Sequence, residues 1–136
     1  MAGDPRWALR QALRTKLLAA SGLTDLVGTE IYDDVPEDHG DIFVVVDTLN
    51  MTEASDKTNT VMDVTASIYA WSTEHRGYKE VEQVLAEVFD ALHNSAPTVT
   101  GYVVLLCQFV ASEEGRVEDG VTRFGVSRFH LLLDPE

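Results

Sequence analysis

Few residues in this 136-residue chain stand where they could do covalent chemistry. The nearest approach to a nucleophile elbow is Gly125-Val-Ser127-Arg-Phe129, which lacks the second glycine of G-x-S-x-G. It also falls inside a stretch that reads as a strand, whereas an activated serine needs a sharp strand-to-helix turn to expose its hydroxyl. The histidines His39, His75, His93 and His130 are far apart, and no two have metal-ligand spacing. His93, near a helix C-terminus, has a structural reading, because the helix dipole favours its positive form. The carboxylates Glu30, Asp33, Asp34, Glu37, Asp38 and Asp41 invite comparison with a Ca²⁺ site. They lack EF-hand spacing and read better as a solvated turn. Neither a G-x-G-x-x-G nor a P-loop sequence occurs. Cys107 is the one cysteine, inside the apolar run 103–110, so an internal disulfide and a cysteine-rich zinc site are excluded and packing is its expected role. No catalytic, metal-binding or cofactor-binding residue is predicted, and no cofactor.

Charge is the stronger signal. Ten basic residues stand against 23 acidic ones, for a net charge of -13. Nucleic-acid binding rests on Lys and Arg neutralising phosphates, so this balance argues against a phosphate-gripping surface. It also disfavours anionic membranes. No apolar run approaches the roughly 18 residues of a transmembrane helix, and Met-Ala-Gly-Asp-Pro lacks the basic and apolar regions of a signal peptide. A soluble protein made inside a cell, with no membrane partner, is expected.

The elements that would position these groups follow from periodicity. A first helix is expected over about Arg6–Ala20, capped by Asp4 with Pro5 at its first position. Leu9, Leu13 and Leu17 give it an apolar stripe, and Ser21-Gly22 ends it. Leu23–Val27 would add a further turn before Gly28. Ile42–Leu49 reads as a strand rich in β-branched residues. Thr60–Trp71 alternates, with Met62, Val64, Ala66, Ile68 and Ala70 on one face and Asp63, Thr65 and Ser67 on the other, joined by Tyr69 and Trp71. The second helix, about Gly77–Asn94, places Val81, Val84, Leu85, Val88 and Leu92 on one arc. Ser72, Thr73 or Glu74 could cap it. Val99–Ser112 and Val121–Leu133 read as strands joined by a glycine-containing hairpin. The class expected is α+β: an antiparallel sheet of four or more strands, two main helices packed on one face, and a single domain over residues 1–136.

Two surface features suit an interaction protein. Arg6, Arg10 and Arg14 form the one basic stripe, which reads either as a solvated face or as a docking strip for an acidic neighbour. The outer face of the second helix in another copy is one such neighbour. The polar connection Asn50–Asn59, with Thr52 and Lys57, reads either as a plain hairpin loop or as an arm that orders against a partner. These five residues are the candidate interface with another subunit or a partner.

Three short stretches in order carry a family resemblance: Glu30-Ile-Tyr-Asp-Asp-Val-Pro36, Tyr69-Ala-Trp-Ser-Thr-Glu-His-Arg-Gly77 and Arg123-Phe-Gly-Val-Ser-Arg-Phe129. With the chain length, they resemble the tail-terminator (tail-completion) proteins of long-tailed phages and gene transfer agents. The resemblance covers nearly the whole chain. It implies a ring, typically of six subunits, on the head-proximal end of the tail tube, which stops tube growth and meets the neck. It offers no catalytic residues. Its implied partners are further copies, the tail tube protein and a neck or head-completion protein, with DNA passing through unbound. Its implied location is the host cytoplasm during assembly, then the particle. A bore that passes DNA should repel phosphate, so Asp33, Asp34, Glu37, Asp38, Glu113 and Glu114 are candidates for an acidic lumen. Competing readings are a head–tail connector of the same particle, an acidic inhibitor or DNA mimic, and, more remotely, a small hydrolase.

Overall fold

A computed structural model describes residues 4–53, 61–74 and 77–136. The elements in order are α1 (Arg6–Leu18), α2 (Ser21–Val27), β1 (Ile31–Tyr32), β2 (Ile42–Glu53), β3 (Met62–Ser72), α3 (Lys79–Leu92), β4 (Tyr102–Arg116) and β5 (Arg123–Pro135). The strands form one sheet in the order β1-β2-β3-β5-β4. β2, β3, β5 and β4 pair antiparallel, while β1 lies parallel to β2.

The α+β class stands, with two corrections. The sheet has five strands and is mixed, because Ile31-Tyr32 adds a parallel strand at its edge. Two residues are too few to show any period, and the strand is held instead by backbone bonds such as Val44 N to Glu30 O at 2.9 Å. The helices number three among the described residues. The expected end of the first helix, Ser21-Gly22, is the start of α2, because Ala20 turns to an extended ψ of 104° and separates the two. Gly28, at φ 64°, closes α2 in the left-handed region that glycine tolerates.

Capping differs from expectation at both longer helices. α1 starts at Arg6, and Asp4 Oδ1 accepts from the Arg6 amide at 2.9 Å, so the aspartate meets the helix start one residue ahead of its boundary. At α3 the expected hydroxyl caps are absent. Tyr78 flanks the start, and Glu80 and Glu82 in the first turn face the positive end of the dipole.

One face of the sheet carries the core. Leu9, Leu13 and Leu17 of α1 and Val81, Val84, Val88 and Leu92 of α3 meet Val44, Val46, Ala66, Ile68, Phe129, Leu131 and Leu133. Each large side chain buried there contributes about 1.5–3 kcal/mol. Gly125 of β5 lets α3 approach, since a Cβ at this position would lie 2.6 Å from Leu85 Cδ1 and Val81 Cγ1. The long edge strand β4 is guarded at its middle. Asn94 N donates to Cys107 O at 2.8 Å, and Phe109 N donates to His93 Nδ1 at 3.1 Å. His93 thus has a structural role, holding the middle of β4 to the end of α3.

Gly125→Ala should cost about 1–3 kcal/mol by overpacking between β5 and α3, read as a lower urea midpoint. An unchanged midpoint would show that α3 can lift off the strand freely.

Candidate functional site: an aromatic groove on the open sheet face

Alternation along the strands sends half of their residues to the face that no helix covers. Register brings Phe43 of β2 beside Trp71 of β3, and Trp71 beside Phe124 of β5. One step further along, Val45, Tyr69 and Val126 form a second row. The rings make a continuous floor, with Phe43 and Trp71 stacked at 6.5 Å, Tyr69 and Trp71 stacked at 6.1 Å, and Trp71 against Phe124 at 5.3 Å.

The loop after β1 builds one wall. Glu30 Oε1 accepts from Tyr32 Oη at 3.0 Å and from the Gly40 amide, tying the two ends of the loop together. Gly40 leaves room for that carboxylate, since a Cβ there would fall 2.1 Å from Glu30 Oε2. His39 packs on Phe43 at 4.6 Å, and Val35 reaches the groove. The result is an open groove of about 650 Å³ lined by Val35, Phe43, Val45, Asp47, Tyr69, Trp71 and Phe124. Its floor is apolar, and Asp47 is the one carboxylate among the described residues that line it. Single-stranded nucleic acid is held by aromatic stacking together with cations along the backbone path. Here the lining of the stacking surface, among the described residues, holds a carboxylate and no Lys or Arg, which suits protein better than phosphate. Farther along the same face, Arg128 pairs with Glu113, and His130 Nε2 lies 2.7 Å from Asp63 Oδ1.

The residues singled out in the sequence are dispersed. Arg10 Nη1 donates to Val46 O and to Asp47 O (2.6 Å), where β2 shifts register between Val46 and Leu49. Arg14 Nε donates to Ile31 O at 2.6 Å. Two members of the stripe thus tie α1 to its own sheet, and Arg6 is exposed and pairs with Asp4 at 2.6 Å. Thr52 is exposed on β2 opposite Asp63, and Lys57 lies outside the described residues. Asp33, Asp34, Glu37 and Asp38 share the loop after β1, whereas Glu113 and Glu114 sit on β4 at the other edge of the sheet. Those two face opposite ways, Glu113 to Arg128 and Glu114 to Glu82 of α3. Burial, followed by the hydrogen bond with Glu82, raises the Glu114 carboxyl above its ordinary value.

Ser127 and Cys107, neither expected to act as a nucleophile, both lie in the interior. Ser127 is buried, and its Oγ meets Ser112 Oγ at 3.3 Å. Burial pushes the Cys107 thiol up to about 11, which keeps it protonated and inert. Among the described residues, no cluster of three His, Cys, Asp or Glu could hold a metal ion.

A family model described as "Tail completion protein gp17" matches residues 11–134. The chain belongs to the tail completion protein family. Among solved structures, it is similar to a chain of one described as "Virion of native gene transfer agent (GTA) particle". That match has a TM-score of 0.90 and 25% identity, and covers 98% of this chain and 99% of the other. No curated protein matches the chain. Family membership makes it a structural protein of a phage-type tail and bears out the resemblance carried by the three short stretches. In this tail completion protein those stretches converge. The first supplies Val35, the second Tyr69 and Trp71, and the third Phe124, all lining one groove. Tyr69 and Trp71 interrupt the polar face begun by Asp63, Thr65 and Ser67, and that interruption is the groove's one signal within β3.

Arg10→Met keeps the aliphatic stem but removes charged donors from two backbone carbonyls, at an expected cost of about 1–3 kcal/mol in urea unfolding of the free chain. Full retention of stability would show that the arginine is not a structural tie.

Proposed function

We propose that this tail completion protein forms a ring, of six copies in the expected case, that caps the head-proximal end of a tail tube. The ring ends tube polymerisation and joins the tail to the neck. The observation that carries this reading is the family match over residues 11–134, supported by a fold shared end to end with a chain of a gene transfer agent virion. The action is binding and capping without turnover. Its partners are further copies, the tail tube protein and a neck or head-completion protein. It assembles in the host cytoplasm and then remains in the particle.

The physics of the surface fits that role. A net charge of -13 lets DNA pass a bore without being gripped. The loop carboxylates Asp33, Asp34, Glu37 and Asp38 are one set of candidates for the lumen, and Glu113 with Glu114 are the other. The faces of Glu113 and Glu114 diverge, so at most one of that pair can line a bore. Arg6 and Thr52 are the exposed members of the proposed subunit or tube interface among the described residues. No helix among the described residues is long and apolar enough to cross a membrane.

Negative-stain microscopy of the purified protein, alone over a range of concentrations and then mixed with tube protein, tests the reading. Six-fold rings with an open centre, and tubes ending in such rings, are expected. Tubes of unaltered length and bare ends, with no ring in either sample, would overturn it. Labelling confined to the portal side of the particle would favour the connector role instead.

A further inference from the structure

We propose that the aromatic groove of one copy receives the Trp7 face of helix α1 from the next copy. This contact rests on the ring reading above and names the surfaces that would build the ring. Trp7 is 62% exposed, the most exposed of the large apolar side chains described. Tryptophan is rarely left in water without a use, and it is among the residues enriched at the energetic centres of interfaces.

Charge selects the occupant. From Arg6 through Leu18, α1 carries Arg6, Arg10, Arg14 and Lys16, four of the ten cations in the chain, and no carboxylate. From Glu30 through Asp47, the segment that forms the groove's wall and rim carries seven carboxylates and no Lys or Arg. Arg10 and Arg14 spend their hydrogen bonds on neutral backbone carbonyls, and among the described residues the one carboxylate that shares their pocket is Asp33, so the helix keeps an excess of positive charge. A cationic helix bearing an exposed indole and an aromatic groove lined by Asp47 and walled by an acidic loop are complementary in both apolar area and sign.

Position makes the contact intermolecular. α1 packs its leucines on the covered face of the sheet, and the groove opens on the other face. Trp7 borders Tyr32 and Asp33 at the β1 edge and is not among the residues lining the groove, so seating it in the groove takes a second copy, and the two patches differ, as in a heterologous contact. Contacts of that kind propagate head to tail and close into a ring when the rotation allows.

Cysteine trapping on the full chain tests this, using a Trp7→Cys, Tyr69→Cys double variant oxidised at the concentrations used for microscopy. Buried Cys107 stays out of the reaction. A ladder of covalent multimers is expected, against dimers only when the two single variants are mixed. A Trp71→Phe variant, in which Trp7 is the sole tryptophan, gives a second readout that leaves Trp7 and Tyr69 intact. Its emission should shift to the blue on assembly. Rings without the ladder and without the shift would overturn this contact while the ring reading stands. A ladder with the shift but only open fibres would keep the contact and sink the ring. Dimers alone from the double variant would show a self-complementary contact and overturn the proposal. Neither rings nor cross-links would remove both.

Discussion

The whole architecture depends on one constraint: a sheet has two faces, and this chain has helices enough for one. Strand alternation commits every second residue to each side. The apolar stripes of α1 and α3 cover the side built from Val44, Ile68, Phe129 and Leu131. The other side must therefore be polar, or be covered by something else. Toward the β1–β2 end it is instead aromatic, with Phe43, Tyr69, Trp71 and Phe124 in mutual contact. Phe43 is buried there and Tyr69, Trp71 and Phe124 are half-buried, so the face is a preformed apolar groove and not a flat exposed patch.

Both sheet edges carry features that hinder strand addition. An unpaired edge invites strand addition. On one side the terminal strand β1 has only two residues. On the other, the middle of β4 is occupied by bonds from Asn94 and to His93, and its register shifts twice, between Val104 and Leu106 and between Phe109 and Ala111. β2 has a shift of its own after Val46, and there Arg10 takes up the carbonyls of Val46 and Asp47.

Much of this was legible in the sequence because periodicity is a local property. The arc of Val81, Val84, Leu85, Val88 and Leu92 announced α3, and the alternation from Met62 to Ala70 announced β3. What depended on distant partners was not legible. Ile31-Tyr32 is a strand only because β2 lies beside it. The arginine stripe looked like a free surface because a bulge carbonyl leaves no trace in residue types. Glu113 and Glu114 were grouped by adjacency, although neighbours in a strand face opposite ways. The groove was half visible, since two aromatics broke the polar face of β3. Its other members come from positions 35, 43 and 124, which only the fold brings together.

The central claim is that the open aromatic face is the working surface of a tail completion protein. Hydroxyl-radical footprinting of the free chain and of the same chain within assembled particles tests it most directly. Tyr69, Trp71 and Phe124 should be labelled in the free protein and protected several-fold in the particle. Equal labelling in both states, with protection confined to other surfaces, would contradict the account.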